Sequence, residues 1–225
     1  EIDLQFVYAA EHTSTSLPPC DLIILAGSKS VSADLVFIRE QGWDNDIAKH
    51  LRYGGKLFGI CGGYQMLGQT ITDPHHIEGS IGKINGLGLL AITTELLPEK
   101  TLTTCKGVMR LNGDNVPIEG YEIHCGQTAI AQTEHNQPLF TYEGRSCGTV
   151  SPDGQIAGGY LHGVFNRHSA VNELATWCKA SLSEYEDMAE SQEKAIALLA
   201  RTVEHHLDIN QLTTLMNRWK YNDTK

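Results

Sequence analysis

The chain has 225 residues, an apolar fraction of 41%, a charged fraction of 20% and a formal net charge of −10 at neutral pH. That is the make-up of a globular protein with a real core. The acidic balance, without any Lys/Arg-rich run, argues against nucleic acid or an anionic membrane as the main partner, since both need clustered cations. No stretch is apolar enough for a bilayer span or a signal peptide. The six cysteines, Cys20, Cys61, Cys105, Cys125, Cys147 and Cys178, form no CxxC pair. This points away from a disulfide framework or zinc site and toward a reducing, cytoplasmic setting.

In chain order, "LQFVY" (4–8) and "DLIILAG" (21–27) read as short buried strands. The chain enters the first of them without an initiator Met, which is how an excised piece of a longer protein would look. Residues 32–52 have mostly helical spacing, with Leu35, Ile38, Ile47 and Leu51 on apolar faces and Gly42 predicted to divide them. "KLFGI" (56–60) is a third strand, and 63–71 starts a helix. The section 73–155 is rich in Gly, Thr and turn residues, with strand candidates at 87–93, 106–110 and 120–124; it reads as antiparallel additions and loops. "GQIAGGYLHGVF" (154–165) returns to the buried-strand pattern. Helices are predicted at 170–182 and 186–207, the latter with Leu198, Leu199, Val203 and Leu207 at helical spacing. Alternating strands and helices predict an α/β fold with a mostly parallel sheet covered on both faces. A single domain over 1–225 is the simplest organisation.

The chemistry centres on Gly59-Ile60-Cys61-Gly62-Gly63. This G-x-C-x-G sequence is the cysteine form of a nucleophile elbow. A nucleophile on a sharp strand-to-helix turn needs neighbours without Cβ, so that backbone and substrate can approach. The helix that follows would lower the thiol pKa and offer the Gly62 N–H to an oxyanion. The bland alternative is a buried structural cysteine beside a glycine turn. A thiol nucleophile also needs a base. His124 in "GYEIHCG" and His162 in "GYLHGVF" each end a strand-like run before a glycine, and spacing alone does not choose between them. "GYQMLGQT" (63–70) approaches a phosphate loop, but Gln69 stands where the lysine is required, so a nucleotide site is rejected. The His pairs at 75–76 and 205–206 have no third ligand at suitable spacing. No metal is expected.

Together, "GICGGYQMLG", "LAGSKSVSADLVFIREQGWD", "GYEIHCG" and "GYLHGVFNRH" resemble the class I glutamine amidotransferase domains of the cobalamin pathway, of the cobyric acid synthase type. The resemblance covers about 20–215, with all four motifs in order. It implies a flavodoxin-like three-layer α/β sandwich that hydrolyses L-glutamine to glutamate and ammonia. The ammonia would pass to an N-terminal synthetase domain of the same polypeptide, absent before Glu1, which uses ATP and Mg²⁺ to amidate carboxylates of a corrinoid substrate. No cofactor is implied for the glutaminase domain itself. By motif, Cys61 matches the nucleophile and His162 the general base; Gly27 and Gly62 fall at the oxyanion hole. Gln65 and His124 fall beside the substrate glutamine. Many class I enzymes carry His-x-Glu, whereas Val164 stands two residues after His162. The cobalamin type shares that lack, which leaves open what orients His162. Two alternatives stay in view: the glutaminase subunit of an enzyme amidating lipid II in peptidoglycan, and an inactive amidotransferase-like regulatory module.

Overall fold

The structure, a computed structural model, describes residues 2–8, 16–131, 137–180, 182 and 188–222. It divides into two compact units, Glu1–Glu184 and Tyr185–Lys225. The first is built around two sheets. In one, β1 (Leu22–Leu25), β2 (Lys56–Ile60) and β10 (Ile156–Gly159) run parallel, in the order β1-β2-β10. Short β9 (Thr149–Val150) adds antiparallel to β10. Leu57, Phe58 and Ala157 are almost wholly buried along it, as expected where a parallel sheet is covered on both faces.

Predicted and observed elements agree most closely around β2. The apolar run 56–60 is the strand itself. The 32–52 stretch is two helices, α1 (Val31–Glu40) and α2 (Trp43–Arg52). Gly42 divides them in the left-handed conformation at φ 73°, which glycine adopts without a Cβ penalty. Val31, Leu35, Ile38, Trp43 and Ile47 form their buried faces. Each such side chain contributes on the order of 1.5–3 kcal/mol by leaving water.

Other expectations are corrected. Residues 4–8 form no strand; Leu4, Phe6 and Tyr8 are 66%, 79% and 79% exposed. Strand composition is not enough without a ladder partner, because unpaired backbone groups are better served by water. The helix expected over 63–71 is shorter: α3 spans Gly62–Leu67, and Gly68 adopts an extended conformation that leads into β3 (Thr70–Thr72).

The middle of the chain is a second sheet of greater regularity than its composition implied. Here β4 (Lys83–Asn85) and β3 lie beside β5 (Ile92–Met109), which forms a long antiparallel hairpin with β6 (Val116–Ile130). A register shift between Leu96 and Thr101 breaks the ladder, so alternation is lost there and the strands read as shorter pieces. β7 (Phe140–Tyr142) pairs with β5 and β8 (Arg145–Cys147) pairs with β7. After β10 the chain bends at Tyr160 and crosses from the first sheet to the second. There β11 (Leu161–His162) pairs antiparallel with Glu122 and Tyr121 of β6. A 3₁₀ turn (Val164–Asn166) leads into α4 (His168–Trp177).

The second unit holds α5 (Met188–His206) and α6 (Ile209–Asn222). Asp208 joins them and accepts the Gln211 N–H on its carboxylate at 2.9 Å. α5 agrees with the predicted helix apart from 186–187, which lie outside the described residues. Among the described residues, no helix is long and apolar enough to cross a membrane.

Candidate active site

Cys61 stands between β2 and α3, capping the helix, with φ 53° and ψ −110°. A side chain with a Cβ at positive φ is held under strain by its surroundings, and such strain concentrates at functional sites. The surroundings are visible. The Cys61 N–H continues the parallel ladder to Gly159 O at 2.9 Å, while its carbonyl accepts Gln65 N–H at 3.1 Å. One residue thus serves both strand and helix. The glycines after it allow this. A Cβ on Gly63 would stand 1.9 Å from Leu25 O, and one on Gly62 would stand 2.7 Å from Ser28 N. The elbow therefore packs backbone against backbone at the end of β1.

His162 arrives from the other sheet. Its ring stacks on Tyr121, with centroids 5.3 Å apart and planes 11° from parallel. A Cβ on Gly27 would lie 3.7 Å from His162 Cε1 and 3.8 Å from Cys61 Cβ, so Gly27 leaves open the space between the two side chains. His162 Nε2 is buried without a hydrogen-bond partner among the described residues. The Cys61 thiol points instead to Ile123 O, at 3.7 Å. Cys61, His162, Gly27 and Gly62 are thus brought together, with the imidazole nitrogen uncommitted.

Gln65 and His124 lie in the same region. Gln65 is only 3% exposed; its Nε2 donates to the Tyr160 hydroxyl at 3.1 Å, and its Oε1 is buried without a partner among the described residues. His124 stacks on Tyr160, its Nδ1 lies 2.7 Å from Gly126 O, and its Nε2 stands 3.9 Å from Glu122 Oε1.

The electrostatics correct one expectation. The Cys61 thiol is pushed above its usual 9.0: burial dominates, the Gly62 N–H pulls it down, and Glu78 pushes it up. Lys100 pulls it down more weakly. The Gly62 N–H does not outweigh desolvation. His162 is held below 6.5 by burial and then by the nearby His124; His124 is itself lowered by burial. At neutral pH the arrangement is a neutral thiol beside neutral imidazoles, suited to proton abstraction by a general base rather than to a resident ion pair.

Residues that motif spacing missed complete the surroundings. Tyr160 joins Gln65 to Thr128, whose hydroxyl is 2.5 Å from its own, and Thr128 meets Thr94 at 2.8 Å. Glu122 is buried and accepts the Tyr142 hydroxyl and the Cys147 thiol. The quoted strings "GYLHGVF" and "GYEIHCG" contained Tyr160 and Glu122, but nothing local marks them apart from strand-core residues. The His75–His76 and His205–His206 pairs are exposed. A cavity of about 590 Å³ lined by Cys20, Lys49, His50 and Tyr53 lies at the start of β1 and β2, the end opposite Cys61.

Comparison with known proteins gives the family. The CobB/CobQ-like glutamine amidotransferase domain matches residues 3–170. The cobyric acid synthase of Vibrio vulnificus (strain YJ016) is 45% identical over 212 residues, covering 94% of this chain and 43% of that protein. That of Aliivibrio fischeri (strain ATCC 700601 / ES114) is 45% identical over 213 residues, covering 93% and 42%. The structure of PurLQS from Thermotoga maritima aligns at TM-score 0.48 and 20% identity, over 66% of this chain and 71% of that one. The chain spans less than half the length of the curated relatives it matches. On the family match, the chain belongs to the CobB/CobQ-like glutamine amidotransferase family.

Proposed function

We propose that the chain is the glutaminase domain of a cobyric acid synthase, with Cys61 as nucleophile and His162 as general base. The observation that carries this reading is the strained Cys61 elbow with the partnerless His162 Nε2 set across Gly27. His162 Nε2 takes the thiol proton as sulfur attacks the side-chain amide carbon of L-glutamine. The developing oxyanion is held by the Gly27 and Gly62 N–H groups; loss of one such donor costs roughly 10²–10³ in rate. The proton returns to the leaving nitrogen, ammonia departs, and a thioester remains. Water, deprotonated by His162, hydrolyses it to glutamate and the free thiol. Gln65 and His124 bind the substrate.

The ammonia passes to an ATP- and Mg²⁺-dependent synthetase domain of the same polypeptide, which amidates corrin carboxylates in cobalamin biosynthesis. Identity with cobyric acid synthases over nearly the whole chain supports this above lipid II amidation. The presence of both Cys61 and His162 supports it above an inactive module. Six free cysteines accord with the cytoplasm. The test is Cys61→Ala in the natural full-length protein. Glutamine-dependent amidation should vanish while ammonia-dependent amidation persists; retained glutaminase activity would sink the assignment.

A further inference from the structure

The turn after β3 carries a carboxylate that the mechanism leaves unused. Asp73, buried, accepts the N–H groups of Ile77 and Glu78 on its two oxygens at 2.8 and 2.9 Å, and so fixes the turn. Glu78 then reaches the loop after β1. Its Oε2 accepts the Val31 N–H at 2.9 Å, and Ser30 Oγ donates to its carbonyl at 3.4 Å. Ser30 makes no side-chain cap on α1, so Glu78 caps the helix in its place. The same loop begins at Gly27, between Cys61 and His162, and passes Ser28, whose N–H abuts Gly62. A held carboxylate therefore stands at the far end of the strip that lines the thiol.

That placement has a cost. Glu78 is half-buried, its carboxyl raised by desolvation and by the charges of Asp73 and Asp34, and its own charge hinders ionisation of Cys61. A negative charge there also opposes an oxyanion. Capping does not require the full charge, because a neutral amide oxygen would still accept the Val31 N–H, though less strongly than a carboxylate. The other oxygen, Oε1, has no hydrogen-bond partner among the described residues, and no Lys, Arg or His pairs with Glu78 among them. A half-desolvated carboxylate with one free oxygen, near enough to Cys61 for its charge to hinder the thiol, calls for a cation.

We propose that Glu78 binds the α-ammonium group of the amino acid whose side-chain amide Cys61 attacks, and so restricts the site to free amino acids. This rests on the glutaminase reading above. Substrate then supplies the missing counter-charge: once the ammonium is seated, Glu78 no longer hinders the thiol, and Cys61 ionises more easily with substrate than without it.

The experiment follows iodoacetamide labelling of Cys61, read on its own peptide by mass spectrometry, in the full-length protein and in Glu78→Gln and Glu78→Asp. L-glutamine should protect the wild-type thiol and N-acetyl-L-glutamine, which lacks the ammonium, should not. Glu78→Gln keeps the helix cap but should raise the half-protecting glutamine concentration by about tenfold or more, as loss of a charged hydrogen bond does. It should also erase discrimination against the acetyl derivative. Without substrate, its labelling curve should move to lower pH, a shift that mere loss of packing would not produce. Glu78→Asp should retain the discrimination. If wild type is neither protected by L-glutamine nor able to hydrolyse it, the glutaminase reading fails and this assignment with it. If wild type behaves as stated but Glu78→Gln keeps both affinity and discrimination, Glu78 alone is wrongly assigned.

Discussion

The Tyr160 ring lies flat on the His124 imidazole, with centroids 3.7 Å apart and planes 16° from parallel. The same hydroxyl accepts from Gln65 Nε2 and meets Thr128. Tyr160 therefore ties α3, which carries the elbow, to β6, which carries His124. Tyr160→Phe keeps the stacking and removes both hydrogen bonds, leaving the buried Gln65 carboxamide with no side-chain partner. We expect a stability loss of about 1–3 kcal/mol, the cost of stranding a buried polar group. KM for glutamine should rise more than kcat falls. Urea unfolding and steady-state glutaminase kinetics measure the two effects; an unchanged KM would remove Gln65 from the substrate site.

His124 and His162 separate by the same kinetics. His162 Nε2 is uncommitted, whereas His124 Nδ1 is engaged with Gly126 O and its ring is covered by Tyr160. His162→Ala should lower kcat on the order of 10² or more, as loss of a general base does. His124→Ala should act mainly on KM, because lost uniform binding spares kcat. A collapse of kcat in His124→Ala with a mild His162→Ala would reverse the base assignment.

The elbow makes a stability prediction that needs no substrate. The space for a Cβ on Gly63 is filled by Leu25 O at 1.9 Å, a backbone atom that no rotamer change removes. Gly63→Ala must push α3 from β1 or distort Cys61, at a cost of about 1–3 kcal/mol or more for overpacking. Thermal unfolding should show a lowered Tm, and Cys61 labelling by a glutamine-mimicking electrophile should be lost. A variant with wild-type Tm and labelling would show that the elbow relaxes freely.

What was legible in the sequence is what neighbours in the chain enforce. The crowding at Cys61 is written in its adjacent glycines, and the left-handed break at Gly42 in a single residue. Features that depend on a distant partner were not legible. Leu4–Tyr8 has the composition of a strand but no ladder in this structure, so Phe6 and Tyr8 face solvent. The hairpin of β5 and β6 looked like short pieces because its register shifts after Leu96. The run 154–165 read as one buried strand ending near His162; the chain instead changes sheets at Tyr160, and His162 pairs with Tyr121. Nothing local in its string, "HHIEG", marks Glu78 out. Only its contact with Val31, at the end of the loop that begins at Gly27, singles it out.

The last prediction concerns pH. His162 titrates below 6.5 because burial and the adjacent His124 disfavour its charged form, and the Cys61 thiol titrates above 9.0 chiefly because burial disfavours the thiolate. The working state is thus neutral imidazole with neutral thiol. As pH falls through the lowered His162 value, the base becomes protonated and activity is lost. The acid limb of kcat/KM should therefore sit below 6.5, and activity should hold across neutrality. A resident thiolate–imidazolium pair would behave differently: Cys61 would alkylate rapidly even near the foot of the acid limb, as low-pKa thiols do. The neutral pair predicts slow alkylation by iodoacetamide at acidic pH, rising toward and beyond 9.0. Rapid labelling of Cys61 well below neutral pH, abolished by His162→Ala, would establish the ion pair and overturn the neutral mechanism.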